Sequence, residues 1–68
     1  MMNVNEIKVA IVWLYENRRY KLMQWITDNF GFQSFIYNCV SKGNFNKAAY
    51  EISEYDLTVQ LALVELMY

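Results

Sequence analysis

The sequence contains no histidine and no proline, a single cysteine and two glycines. Each shortage removes a class of chemistry. Without histidine there is no imidazole to activate a nucleophile, and one thiol cannot complete a Cys/His zinc set. Cys39 has no partner for an internal disulfide, which suits a reducing compartment. It falls on an apolar stripe, where it reads as a small buried hydrophobe. Glu51 and Glu54 lie close in sequence, but nothing around them suggests a substrate cleft. The chain therefore reads as non-enzymatic, with no cofactor, no metal and no small-molecule substrate. Long hydrophobic runs are missing too: the longest, Val9 to Tyr15, falls far short of the roughly 18 residues a membrane span requires. The first residues include Glu6 and lack the basic region and cleavage pattern of a signal peptide. A cytoplasmic protein that does not engage membranes is expected.

Charge is scarce and unevenly spread. No basic residue follows Lys47, whereas Glu51, Glu54, Asp56 and Glu65 do. The net charge of −1 supplies no global basic field that would draw the chain to nucleic acid or anionic lipid. Arg18, Arg19 and Lys21 form the one basic cluster. They are candidate phosphate contacts, although so small a group is better explained as a solvated turn.

What the sequence has in excess is apolar mass. It is 56% hydrophobic and 18% aromatic over 68 residues. A domain of this size buries only about 60% of its unfolded surface, so it cannot hide every large side chain behind itself. The remainder forms an exposed patch of the kind that marks an interface, and a protein partner or a homo-oligomer is expected. Abundant Asn, Ile, Tyr and Lys without proline fit an AT-rich genome such as that of a phage or mobile element.

Local signals divide the chain into helices. Asn3 and Glu6 form a capping box, with Met2 and Ile7 placed as its hydrophobic staple. Ile7, Ala10, Ile11 and Leu14 then keep helical spacing. The alternation Ile7, Val9, Ile11, Trp13, Tyr15 also fits a strand, which would pair with Tyr20–Ile26 across a turn at Glu16–Arg19. The cap favours helix. A second helix carries Leu22, Trp25, Ile26 and Phe30 and stops at Gly31, with Phe32 folding back over Ile26. A third carries Phe32, Phe35, Ile36, Cys39 and Val40 and stops at Gly43. Asn46 is expected to cap a short helix containing Ala48 and Ala49, with Phe45 and Tyr50 as staple. Ser53 is expected to cap the last helix, with Asp56 completing a box and Leu57, Leu61, Val64 and Met67 forming the buried stripe. Trp13 and Trp25 read as core anchors. The expected fold is all-α, one domain over residues 1–68. It is a compact bundle of four to five short helices with a helix-turn-helix-like C-terminal pair, the alternative being an N-terminal β-hairpin plus helices.

Phe32, Phe35, Val40, Gly43, Asn44, Phe45, Ala48, Ala49, Ile52, Ser53, Leu57, Gln60 and Leu61 follow a recurring pattern. An apolar residue and a Phe precede a short helix ending in Gly-Ser-Phe (here Gly43-Asn44-Phe45), then two adjacent alanines, a turn and a Ser-capped helix. Over residues 32–65 this resembles the first part of the DNA-binding domain of LysR-type regulators. The resemblance implies a helix-turn-helix. The turn at Ile52–Ser53 is shorter than the family's, and the implied recognition helix offers Glu54, Tyr55 and Asp56 where a DNA reader needs Arg, Lys or Asn. Two carboxylates there would repel phosphates. The expected function is therefore that of a small regulatory or adaptor protein. Its acidic, apolar last helix would dock on another chain through Tyr55, Asp56, Val59, Leu63, Leu66 and Tyr68, much as small phage inhibitors bind nucleic-acid enzymes. The alternative is a minimal helix-turn-helix DNA-binding regulator using Arg18, Arg19 and Lys21 on phosphates.

Overall fold

A computed structural model describes residues 2–68. It contains five helices: α1 (Val4–Asn17), α2 (Arg19–Phe30), α3 (Phe35–Ser41), α4 (Phe45–Ser53) and α5 (Leu57–Glu65). The fold is an all-α bundle, with no strand among the described residues. The N-terminal alternation that could have made a hairpin is helical. The reason lies in burial: a helix puts Ile7, Ala10, Ile11 and Leu14 together on one face at 4% exposure or less. A strand would have split that set across two faces. The capping box forms as the sequence predicts, with Glu6 N–H donating to Asn3 Oδ1 and Asn3 N–H donating to Glu6 Oε1.

The polar run Glu16–Arg19 breaks the chain at one residue. α1 continues to Asn17, and Arg18 alone leaves helical geometry (φ −140°, ψ 50°). With no Gly or Pro there, the break is held by donors aimed at carbonyls in the last turns of α1. Arg18 N–H donates to the Leu14 carbonyl, Asn17 Nδ2 to Trp13 and Arg19 Nε to Tyr15.

The two glycines differ from each other and from expectation. Gly31 has φ 104° and ψ 157°, an extended geometry that is nearly exclusive to glycine. The chain leaves α2 there instead of curling back. Phe32 is consequently 62% exposed, with its ring on Tyr37 (centroids 5.0 Å apart), and does not cover Ile26. The wrapped terminus forms at Gly43 instead (φ 78°). There Asn44 N–H donates to the Cys39 carbonyl and Gly43 N–H to Val40, the paired bonds of a Schellman motif.

Three of the helix starts also shift. Ser34 caps α3 through its hydroxyl, which accepts from Tyr37 N–H. Phe35 thus becomes the first helical residue and is half-exposed rather than part of the stripe. Asn44, not Asn46, caps α4, so Phe45 enters the helix and packs edge-on against Tyr15 rather than stapling Tyr50. Asp56, not Ser53, caps α5, accepting from Val59 N–H. Ser53 remains inside α4, where its hydroxyl donates to the Tyr50 carbonyl, a local alternative open to any serine near a helix end.

One cluster forms the core. α1 supplies Ile7, Ala10, Ile11 and Leu14, α2 Leu22, Trp25 and Ile26, and α3 Ile36, Cys39 and Val40. α4 adds Ala48, Ala49 and Ile52, and α5 adds Leu63. Ala48 and Ala49 are fully buried, and their small size lets α4 approach both α1 and α3 closely. α1 packs on α2, α4 and α5.

The rotation of α5 departs most from expectation. Its buried face carries Gln60 and Leu63, while Leu57 and Leu61 are 43% and 49% exposed. Gln60 is fully buried and satisfied at both ends of its amide. Oε1 accepts from Met2 N–H at 3.2 Å, and Nε2 donates to the Ser53 and Tyr55 carbonyls at 3.3 and 3.0 Å. Gln60→Ala should destabilise the chain by about 2–4 kcal/mol, from the cavity plus the stranded backbone groups. Gln60→Glu separates the polar effect from size. In the folded chain the new carboxyl would face two carbonyl oxygens, so it holds its proton more tightly than in the unfolded chain. The unfolded state then deprotonates first as pH rises, and the variant should lose stability between pH 4 and pH 7. Urea midpoints at the two pH values, compared with the parent chain, test this; equal shifts in both proteins would disprove it.

Candidate functional site

The residues expected to contact a partner do not share one face. Leu63 is fully buried and Leu66 packs half-buried against the core, so neither is available as the reading of the last helix required. Val59 is likewise half-buried. Asp56 is exposed, but its carboxylate serves as the α5 cap. Tyr55 is 43% exposed and stands edge-on to Phe30 (4.8 Å), which in turn stands edge-on to Trp25 (5.4 Å). Tyr68 is 92% exposed and lies beyond the end of α5. The cause is the buried Gln60. Once its amide and Leu63 turn inward, the ridge Leu57–Leu61 turns outward, because Leu61 lies on the opposite side of the helix from Leu63 and Leu57 is one turn before it on the same ridge. Glu65 lies next to that ridge, and Glu54 and Asp56 precede it.

The basic cluster is largely folded back on α1. The Arg19 guanidinium lies 4.0 Å from the Tyr15 ring centroid, and Arg18 lies 6.0 Å from that of Trp13. Such cation–π contacts contribute about 0.5–1 kcal/mol each at exposed sites. Only Lys21 points away; with Tyr20, Gln24, Trp25, Asp28 and Leu66 it lines a shallow groove between α2 and the C-terminus. Cys39 is buried and free. No three His, Cys, Asp or Glu side chains converge on one point among the described residues. No helix among them is long and apolar enough to cross a membrane.

A second exposed apolar face was not anticipated. The outer side of α1 forms a shallow groove of Asn5, Lys8, Val9, Val12, Trp13 and Glu16. It continues into a neighbouring groove lined by Met2, Asn5, Glu6, Val9, Ala10, Val64 and Met67, where α1 meets the end of α5. Val9 is 59% exposed, and Trp13, expected in the core, is 37% exposed. The signal was present in the sequence: Ile7, Ala10, Ile11 and Leu14 already complete one helical face, so Val9, Val12 and Trp13 had to lie on another.

Trp25, the other expected anchor, is 7% exposed, yet its indole Nε1 is buried with no hydrogen-bond partner among the described residues. An unmade buried hydrogen bond costs about 1–3 kcal/mol. Trp25→Phe removes that donor while keeping an aromatic ring against Phe30. It should change stability by less than about 1 kcal/mol, whereas Trp25→Ala should cost about 3–5 kcal/mol. Thermal or urea unfolding distinguishes the two, and an equally large loss for both variants would show that Nε1 is satisfied in solution.

No protein-family model, no curated protein and no solved structure matches this chain, so its surfaces themselves carry the functional reading.

Proposed function

We propose that this chain is a small, non-enzymatic regulatory or adaptor protein that acts in the cytoplasm by docking on another protein through the outer ridge of α5. The observation that carries the reading is the exposure of Leu57 and Leu61 on a helix that carries no basic residue of its own and has Glu54, Asp56 and Glu65 beside it in sequence. Two half-exposed leucines on adjacent turns are anchors of the kind a helix lays into an apolar groove. Glu54, Asp56 and Glu65 beside them favour a partner whose groove has a basic rim, because complementary charge speeds encounter and rejects wrong partners. A nucleic-acid enzyme has such a rim, and a phage-derived inhibitor of one is the form this reading takes by analogy.

Leu61→Asp should abolish capture of the partner from the native host while leaving the helical circular dichroism spectrum and unfolding midpoint within about 0.5 kcal/mol of the parent, as expected for an exposed site. Leu63→Asp is unsuitable for this purpose, since it would bury a carboxylate and unfold the chain. Full partner capture by a folded Leu61→Asp chain would eliminate the α5 ridge as the docking face.

A second reading is a minimal helix-turn-helix DNA-binding regulator. It is favoured by the tight turn at Gly43 and the fully buried Ala48–Ala49 pair, which are features of the pattern shared with LysR-type regulators. On that reading Arg18, Arg19 and Lys21 contact phosphates. Duplex DNA affinity that falls steeply with salt, and falls further in an Arg18→Ala/Arg19→Ala chain, would establish it. Absence of binding at low salt would remove it.

A further inference from the structure

We infer that the outer face of α1 is a self-association surface, on which two copies of this chain pair with their α1 helices antiparallel. Asn5, Val9, Val12 and Glu16 line the floor of the α1 groove and follow one another at intervals of four, three and four residues. That is the spacing of a seam between two helices, with apolar layers at its centre and polar layers at its ends. Lys8 and Trp13 flank the seam on its two sides.

The charges decide the direction. In a parallel pair, residues of equal number face each other, so Glu16 would meet Glu16 of the second copy in a partly dehydrated layer. In an antiparallel pair with Val9 of one copy across from Val12 of the other, Asn5 falls across from Glu16 of the second copy. Lys8 then lies about one turn from that same carboxylate, within reach of its long side chain. Each dimer holds this arrangement twice. Opposite charge at the two ends of the same helix face makes the surface complementary to itself only when reversed, which is the property of a twofold interface.

The neighbouring groove strengthens the assignment. It opens on the Trp13 side of the seam, between Glu6, Val9 and Ala10 of α1 and Val64 and Met67 at the end of α5. In the antiparallel pairing, Trp13 of the second copy arrives on this same side, near the level of Lys8, and lies over the groove. The half-exposed indole would be covered by apolar side chains, an anchor of the type that dominates interface energetics. A stable interface takes about 800 Å² from each partner, under a fifth of the 4344 Å² this chain exposes. A seam of four residues falls short of that area by itself, so the α1–α5 groove is needed beside it. Leu57 and Leu61 stay outside the pair, and the dimer leaves the α5 ridge free for the docking partner proposed above.

Sedimentation equilibrium of the full chain over a wide concentration range tests the pairing. The parent chain should be a dimer. Val12→Glu, which places a carboxylate in each central layer, should raise the dimer dissociation constant about a hundredfold, with an unchanged circular dichroism spectrum. Lys8→Glu and Glu16→Lys should each weaken dimerisation by about tenfold at low salt, and the double variant should recover the parent affinity. A parent chain that remains monomeric throughout overturns the inference, as does a dimer indifferent to Val12→Glu. Single variants that weaken the dimer without recovery in the double would show that the antiparallel charge pairing is wrong. The α5 reading is tested separately, because Leu61→Asp should leave the dimer intact.

Discussion

The carboxamide of Gln60 is the contact on which the rest of this structure depends. α5 is apolar on nearly every side, so hydrophobic burial alone gives it no preferred rotation. Gln60 supplies one. Its donor reaches the Ser53 and Tyr55 carbonyls that the end of α4 and the following turn leave free, and its acceptor takes the Met2 N–H at the start of the chain. Leaving a buried polar group unmatched costs about 1–3 kcal/mol, and domains this small have only a few kcal/mol of net stability. Orientations of α5 that leave these groups unmade are therefore excluded. The side effect is that Leu57 and Leu61 face outward, a cost in apolar exposure accepted in return for a satisfied amide.

A second constraint is geometric. Five short helices cannot enclose a composition this apolar, and the excess must emerge somewhere. It emerges on the two helices that meet at the groove of Met2, Val9, Val64 and Met67. α2, α3 and α4 show isolated exposed aromatics, Tyr20, Phe35 and Tyr50, whereas α1 exposes a continuous strip. Isolated apolar groups are normal on protein surfaces; a strip carried over from one helix to the next is not. Arg19 and Arg18, two of the three basic residues that might have offered another function, are drawn over Tyr15 and Trp13, which leaves the apolar strip as the more distinctive surface.

How much of this the sequence revealed depended on the range of the interaction. The Asn3–Glu6 box was legible because both partners lie within one turn. The α1 and α2 core faces are legible because Ile7, Ala10, Ile11 and Leu14, and then Leu22, Trp25 and Ile26, recur at helical spacing within one element. Ser53 and Asp56 could both cap a helix, and the choice turns on two competing bonds: the Ser53 hydroxyl is engaged locally with the Tyr50 carbonyl, and the Ser53 carbonyl accepts from Gln60, beyond the window of one turn. The burial of Gln60 was not legible at all, since one of its partners is 58 residues away in sequence. From that single omission follow the misplaced stripe on α5 and the assignment of Leu63 and Leu66 to the surface. Trp13 departs from expectation for a different reason. A large aromatic on an already complete helix has no place in the core, and its size pointed inward while its position pointed out.

These constraints are coupled. Met2 belongs to the Gln60 hydrogen-bond knot and also lines the α1–α5 groove. Val64, one turn beyond Gln60, is half-buried and lines that groove, a place set by the same rotation that turns Leu57 and Leu61 outward. If α5 turned to bury its leucines, the Gln60 amide would be stranded, the groove beside Val9 would lose one wall, and the acidic ridge would disappear. The groove and the ridge therefore exist together or not at all. Any contact that stabilises the α1 face also holds α5 in the rotation its other face requires. A ligand that binds only the native arrangement stabilises it by RT ln(1 + [L]/Kd), so pairing at α1 would favour docking at α5 without any change in shape.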